Sequence, residues 1–378
     1  MKTFLKKNFE LPFHIAKRTD MPKWKAWLIR GASVVLALLI SGLVCLILTK
    51  GKHFGGFYSE LFLGAFGTPR RVLNLFQAWA MLLCVSLAVT PAFKMKFWNI
   101  GAEGQTLMGA FASAIMIWYF GGKVPEGVLY VLMLLAGVVA GAIWGAIPAI
   151  FKAIWNTNET LFTLMMNYIA SHLVMFTINQ WVTNGSATVG ILPYGSFSNA
   201  LGQMYVINVV IVTVLTALTF IYLRFSKHGY ELEVVGESVN TAKYIGINVK
   251  KVIIRTMILS GALCGLAGFL LVGGSPTPTI NADLVSGRGF TAILVSWLAK
   301  FNPLIMMGVT MLVVFMQKGA GQAATSFKIG DSNAFNGVIT GIFFLLIIAS
   351  EFFVNYKVIF KGKGEKNRVS NKKAEVTK

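Results

Sequence analysis

Cysteine, histidine and acidic side chains are all scarce in this chain of 378 residues, with three Cys, four His and 14 Asp plus Glu against 34 Lys plus Arg. Cys45, Cys84 and Cys264 fall inside apolar runs with no metal-ligand spacing, which argues against both a thiolate metal site and a disulfide framework. His14, His53, His172 and His228 include no pair at ligand spacing, so a metal enzyme is not expected. His172 shares an apolar run with Asn167 and reads as a hydrogen-bonded packing residue or a path-lining one. No G-x-x-x-x-G-K-[ST] sequence occurs, and no soluble α/β pattern exists to carry one, so nucleotide hydrolysis is excluded from this chain. No loop assembles a nucleophile, a base and an orienting group. The expectation is a non-enzyme with no cofactor of its own.

What is abundant is hydrocarbon. The composition is 56% hydrophobic, and the mean hydropathy is +0.68, too apolar for one soluble core. The expected fold is all-α: a polytopic membrane helix bundle of about ten spans, with eight or nine as alternatives. Apolar runs occur at 31–49, 72–93, 103–120, 127–150, 160–180, 204–223, 252–273 and 335–355. Two more, 289–299 and 303–317, are short and separated by Lys300, Asn302 and Pro303, as interrupted helices would be. The first run follows a long basic segment without a suitable cleavage site and reads as a permanent anchor.

The net charge of +20 is a matter of topology rather than of nucleic acid. With ten crossings, 26 of the 34 Lys and Arg fall on the side shared by the termini, which predicts both termini cytoplasmic in the cell membrane. Trp24, Trp27, Trp118, Tyr119, Trp155 and Trp181 fall near span ends, as interfacial anchors do. The expected organisation is a basic segment at 1–30, a membrane domain at 31–355 with a polar loop at 224–252, and a basic tail at 356–378, disordered from Lys361.

Two places carry polar groups that need a reason. The segment 97–109, FWNIGAEGQTLMG, sets Asn99, Glu103 and Gln105 among glycines between apolar runs. A charge near the bilayer centre costs at least about 2.5–3.5 kcal/mol, and a broken helix survives there only against protein or a water-filled cavity. Asn99 and Glu103 would share a face if the segment were helical. They either line a solute path, or Glu103 clamps a broken helix end by accepting freed N–H groups. Asn156, Asn158, Glu159 and Thr160 open the fifth span as capping candidates, and Asn167, deeper in it, should face the bundle interior. At the start of the short run 289–299, Phe290 and Thr291 follow Gly287, Arg288 and Gly289; Phe290 either stacks on a ring or packs. The paired interruptions at 97–109 and 287–303 suggest inverted repeats.

The other place is the loop 224–252. Ser238 can cap a short helix over 239–245, and Gly246 offers a left-handed stop. Two turns of helix are marginal in water and require packing. The stretch GESVNTAKYIGINVKK resembles the coupling loop of ABC-importer permeases. With FWNIGAEGQ (97–105), NETLFTLMMNYIA (158–170) and GRGFTAILVSWLAKFNP (287–303), the chain resembles the permeases for ribose-type sugars and, most closely, nucleosides, over about residues 72–350. Lys243 departs from the small residue that family members often carry there.

The resemblance implies a transmembrane subunit working by alternating access. ATP and Mg would be used by a separate ABC ATPase docked at Gly236, Asn240, Ala242, Tyr244 and Gly246. It also implies a second permease chain, identical or related, and an extracellular solute-binding protein or lipoprotein meeting the 181–203 loop. The bilayer is the remaining partner, and no nucleic acid is expected. The path candidates are Asn99, Glu103, Gln105, Asn167, Phe290 and Thr291. The alternatives are an ABC permease for a simple sugar such as ribose, and a proton-coupled secondary transporter using Glu103 as its proton-binding carboxylate.

Overall fold

The structure, a computed structural model, describes residues 13–18, 21–51, 54–182, 187–198, 202 and 204–360. Their elements, in chain order, are β1 (Phe13–Lys17), α1 (Lys23–Leu48), α2 (Phe54–Phe66), α3 (Pro69–Lys94), α4 (Ala102–Phe120), α5 (Glu126–Trp155), α6 (Glu159–Trp181) and α7 (Val206–Phe225). There follow α8 (Lys227–Glu237), α9 (Val239–Tyr244), α10 (Val249–Gly273), α11 (Arg288–Leu298), α12 (Pro303–Ser326), α13 (Ser332–Asn355) and β2 (Tyr356–Phe360). Among the described residues eight helices are long and apolar enough to cross a membrane. Two further helices have the lengths the hydropathy led us to expect: α4, with 19 residues, and α11, with 11.

Helix starts follow local chemistry. Thr68 accepts from the Arg71 N–H with Pro69 at the first turn, Asn158 accepts from Leu161, Asn248 from Lys251, and Asn302 from Leu304 beside Pro303. Each short polar side chain satisfies a donor that the first helical turn leaves open.

The chain forms two compact units. One comprises Met1–Tyr58 and Ala334–Lys378. In it β1 and β2 pair antiparallel, Phe13 opposite Phe360 and Lys17 opposite Tyr356, and Arg30 Nε contacts Glu351 Oε1 at 2.6 Å. The strand pair was not foreseen in the flanking segments; the predicted disordered tail from Lys361 lies outside the described residues.

The other unit, Ser59–Asn333, holds the remaining bundle. Its two most buried spans are α3 and α10. Against α10 pack α5, α4 and α3; α7, α11 and α12 pack on α3, and α6 on α4. In lipid the hydrophobic effect does not drive such association, so backbone approach through small residues carries it. Gly137, Gly141 and Gly145 of α5 face Gly261 and Gly265 of α10, with Gly109 of α4 against Gly265. A Cβ at Gly141 would sit 2.7 Å from the Gly265 N and Cα, and one at Gly145 would sit 2.7 Å from the Met257 carbonyl oxygen.

The run 303–317 is longer than its hydropathy suggested. α12 continues to Ser326 because Gly319, Ala320, Ala323 and Ala324 are buried small residues, and Gly64 of α2 packs on Gly319. The interruption in 97–109 is narrower than expected: only 95–101 is non-helical, whereas Gly104 and Gly109 lie within α4 and serve close packing.

Candidate functional site

The break between α3 and α4 brings the predicted polar residues together. Because α4 starts at Ala102, Asn99 lies outside it and does not share a helical face with Glu103. Asn99 is fully buried; its Nδ2 donates to Gln105 Oε1 at 3.2 Å and Ser260 Oγ at 3.3 Å. Its Oδ1 accepts from the Gly101 N–H and from Gln105 Nε2, both at 3.1 Å. From α6, Asn167 accepts the Gly104 N–H at 2.9 Å and donates to the Ile100 carbonyl at 3.0 Å, while Thr163 Oγ1 accepts from the Ile100 N–H at 3.2 Å. These side chains supply the partners that an open backbone must find at membrane depth.

Glu103 closes the second interruption. Its Oε1 accepts from the Gly287 N–H at 2.7 Å and its Oε2 from the Gly289 N–H at 2.6 Å. Both oxygens are thus committed to the N-terminus of α11, where aligned peptide dipoles favour negative charge. Gly287 has φ +71° and Gly289 packs directly on the Glu103 backbone, so glycine is required at both. Arg288 Nη1 donates to the Leu284 and Val285 carbonyls, each at 3.2 Å, and Thr291 Oγ1 donates to the Gly287 carbonyl at 3.2 Å. Of the six path candidates, Asn99, Gln105 and Asn167 form one buried network, Glu103 caps α11, Thr291 bonds its own helix, and Phe290 stands 43% exposed.

α11 has two unlike faces. Gly289, Ala292, Val295 and Ser296 are buried, whereas Phe290, Leu294 and Trp297 are exposed. Trp98, next to Asn99, lies with its ring 5.4 Å from that of Trp297. Sequence reading missed Trp98, Trp297, Thr163 and Ser260, although both tryptophans lie within the quoted motifs and Ser260 adjoins the Gly261 contact. Beyond α10, the Phe197 N–H donates to the Gly273 carbonyl and the Leu192 N–H to the Pro278 carbonyl, both at 2.8 Å. The described part of the 181–203 loop is thereby pinned to the segment leading into α11.

At the opposite end of α10 the polar loop folds into two helices. Ser226 caps α8 by accepting from the Gly229 N–H, and Ser238 caps α9 by accepting from the Thr241 N–H. Leu232, Val235 and Ala242 are buried with Met95, Phe97 and Val249. Gly236 packs on the Lys94 carbonyl, which leaves no room for a Cβ. Lys94 pairs with Glu233 at 3.1 Å, and Arg255 with Glu231 at 2.8 Å. The hydrogen bond from Arg255 holds the Glu231 carboxyl below the usual carboxylate range. Gly246, at φ +85°, ends α9 as expected, and the Ile247 N–H returns to the Ala242 carbonyl at 2.9 Å.

The five coupling candidates therefore divide. Gly236 and Ala242 face the bundle, Gly246 makes the stop, and Asn240 and Tyr244 point away. Tyr244 is 92% exposed, flanked by the half-exposed Val239 and Ile245. An exposed aromatic and two aliphatics on a six-residue helix and its C-cap, anchored from behind, have the form of a docking knob.

Residues 71–348 match the family described as branched-chain amino acid transport system / permease component. The glucose ABC transporter permease protein TsgB13 of Haloferax volcanii is 27% identical over 371 residues, covering 93% of this chain and 94% of its own length. The guanosine ABC transporter permease protein NupP of Bacillus subtilis is 30% identical over 277 residues, 70% of this chain and 77% of its own. The nucleoside ABC transporter permease protein NupB of Lactococcus lactis is 27% identical over 301 residues, 76% and 82%. These matches set aside the proton-coupled transporter, as do two carboxylate oxygens already committed to backbone donors. In ABC transporters ATP hydrolysis belongs to separate ATPase subunits. The chain belongs to this family, and it is a multi-pass membrane permease subunit of an ABC importer that works with an ATPase and a solute-binding protein.

Proposed function

We propose that this permease moves nucleosides by alternating access between two states whose balance is set by ATPase subunits using ATP and Mg at the α9 knob. The observation that carries the coupling part is Tyr244, almost fully exposed on a helix whose opposite side is buried. A second permease chain, identical or related, covers the exposed face of α11, because the non-helical backbone at 281–287 with exposed Asp283 is not tolerated against lipid. The path then runs past Phe290, Trp297 and Trp98, whose rings suit a planar base. Both termini and the 224–252 loop face the cytoplasm, and the 181–203 loop receives the binding protein. The interruptions before α4 and α11 belong to inverted repeats. Domain limits follow the hydropathy, with the membrane part at 31–355 between basic segments.

A sugar is the second reading, favoured by the glucose permease relative that aligns over most of the chain. Uptake of labelled guanosine and of glucose by the reconstituted complex separates the two: guanosine uptake unaffected by excess glucose supports the nucleoside, and the reverse supports the sugar. For the coupling part, Gly246→Val forces a β-branched residue into left-handed backbone at about 1–2 kcal/mol. It should sharply lower ATP-driven uptake while the complex still hydrolyses ATP; unchanged uptake would refute the assignment.

A further inference from the structure

A cavity of about 550 Å³ opens at the end of the bundle that carries α8, and its lining is unusual in charge and in backbone. Lys94, Lys96, Arg224 and Lys300 line it, opposed by Glu233 and Glu237, so its walls carry a net +2 even with Lys94 paired to Glu233. Lys96 (φ 59°), Lys300 (φ 52°) and Phe301 (φ 58°) are three of the eight non-glycine residues with positive φ among the described residues, and all three border this space. The left-handed conformation costs an L residue about 1–2 kcal/mol, and helices usually give the position after their last turn to glycine. Here α3 and α11 are each followed two residues on by Lys-Phe, Lys96-Phe97 and Lys300-Phe301, so two helix ends bring lysines to line one volume at a conformational cost.

The negative helix ends account for part of that charge, up to about half an elementary charge each. They do not account for all of it, because Lys96, Lys300 and Arg224, the last in the final turn of α7, together exceed the roughly 1.5 elementary charges of three helix ends. Nor do they explain the apolar remainder of the wall: Phe220, Leu223 and Pro303. Three membrane helices, α3, α7 and α11, end here and α12 begins, which places the cavity in the interfacial layer of the bilayer. Cations from several elements over an apolar floor, at headgroup depth, match the phosphate of an anionic phospholipid whose chains continue along the bundle. We infer that this cavity binds the phosphate group of an anionic phospholipid, with Lys96, Arg224 and Lys300 as its cationic contacts.

The test uses the assembled transporter in gentle detergent, titrated with phosphatidylglycerol or phosphatidylcholine and read by native mass spectrometry. Wild type should retain phosphatidylglycerol in preference. The Lys96→Gln/Lys300→Gln pair should weaken that binding about thirty-fold, and Arg224→Gln about five-fold, with phosphatidylcholine binding unchanged. The single Arg224→Gln variant decides the matter if the double one fails to fold. Unchanged phosphatidylglycerol affinity in the folded variants overturns the inference. So does displacement of the lipid by equimolar inorganic phosphate, which would assign the site to the free anion. Unchanged lipid with loss of co-purifying ATPase would assign the cations to the protein partner instead.

Discussion

Replacing Glu103 separates a clamp from a carrier. Its carboxylate holds two backbone donors of α11 at 2.7 and 2.6 Å, across more than 180 residues of sequence. Glu103→Ala leaves both N–H groups without their acceptor inside the bundle. An unsatisfied buried donor costs about 1–3 kcal/mol, so the pair should cost about 2–6 kcal/mol. Glu103→Gln keeps one carbonyl oxygen and turns an amide NH₂ toward the other donor; it should cost roughly half as much, with most of the loss at Gly289 or Gly287 but not both. The assay is unfolding of the purified chain in mixed micelles with increasing SDS, followed by circular dichroism, beside uptake by the reconstituted complex. A clamp predicts graded stability, with Ala worst, and uptake that stays ATP-driven and insensitive to an imposed proton gradient. If Glu103→Ala unfolds within about 0.5 kcal/mol of wild type, the two hydrogen bonds do not support α11 and the reasoning fails.

Packing and pH supply two more tests. Gly141→Ala places a Cβ 2.7 Å from the Gly265 backbone and must part α5 from α10 by roughly 1 Å; we expect about 1–3 kcal/mol of destabilisation, while Gly127→Ala, with nothing within 4 Å, stays near neutral in the same unfolding assay. Glu231 is held below the ordinary carboxylate range by Arg255, so its contribution to anchoring α8 is complete above about pH 4.3 and is lost as pH falls through the lower folded value. A nitroxide attached at Asn240→Cys should gain mobility over that acidic window in wild type, whereas in Glu231→Gln it should be mobile already and insensitive to pH; identical profiles would sink the idea.

Sequence made some parts of this arrangement legible and hid others for physical reasons. Apolar length fixed most spans, since the bilayer sets one scale, and Ser238 with Gly246 bounded α9 to within a residue because both caps are local. The end of α12 was missed because hydropathy cannot tell a solvated Gly-Ala-Gln stretch from one buried against another helix. The α8 helix was missed because its buried apolar residues, Leu232 and Val235, are few and find their partners outside the loop, α3 and α10 among them. Asn99, Gln105 and Asn167 were legible as polar groups in apolar surroundings that need partners. That those partners are mostly one another and the broken backbone follows only from three-dimensional closure, and so does the pairing of Glu103 with a helix far along the chain.

In the proposed coupling scheme, α10 is the element that joins the 224–252 loop to the interrupted segments. It begins at Val249, three residues after the stop of α9, and runs for 25 residues, about 37 Å at 1.5 Å per residue. Along that length Ser260 holds Asn99 at the first break, Gly261 and Gly265 fix α5 and α4 at backbone distance, and Gly273 anchors Phe197 before the chain turns toward α11. Under the proposed coupling, a displacement at Tyr244 by a docked subunit would reach the first break through this one rigid element. Within α10 the helix is continuous, and neighbours packed at backbone distance keep it from bending independently. The compliant point is Gly246, at positive φ with open space around it, whereas Gly287, equally open, is held through its N–H by the Glu103 carboxylate.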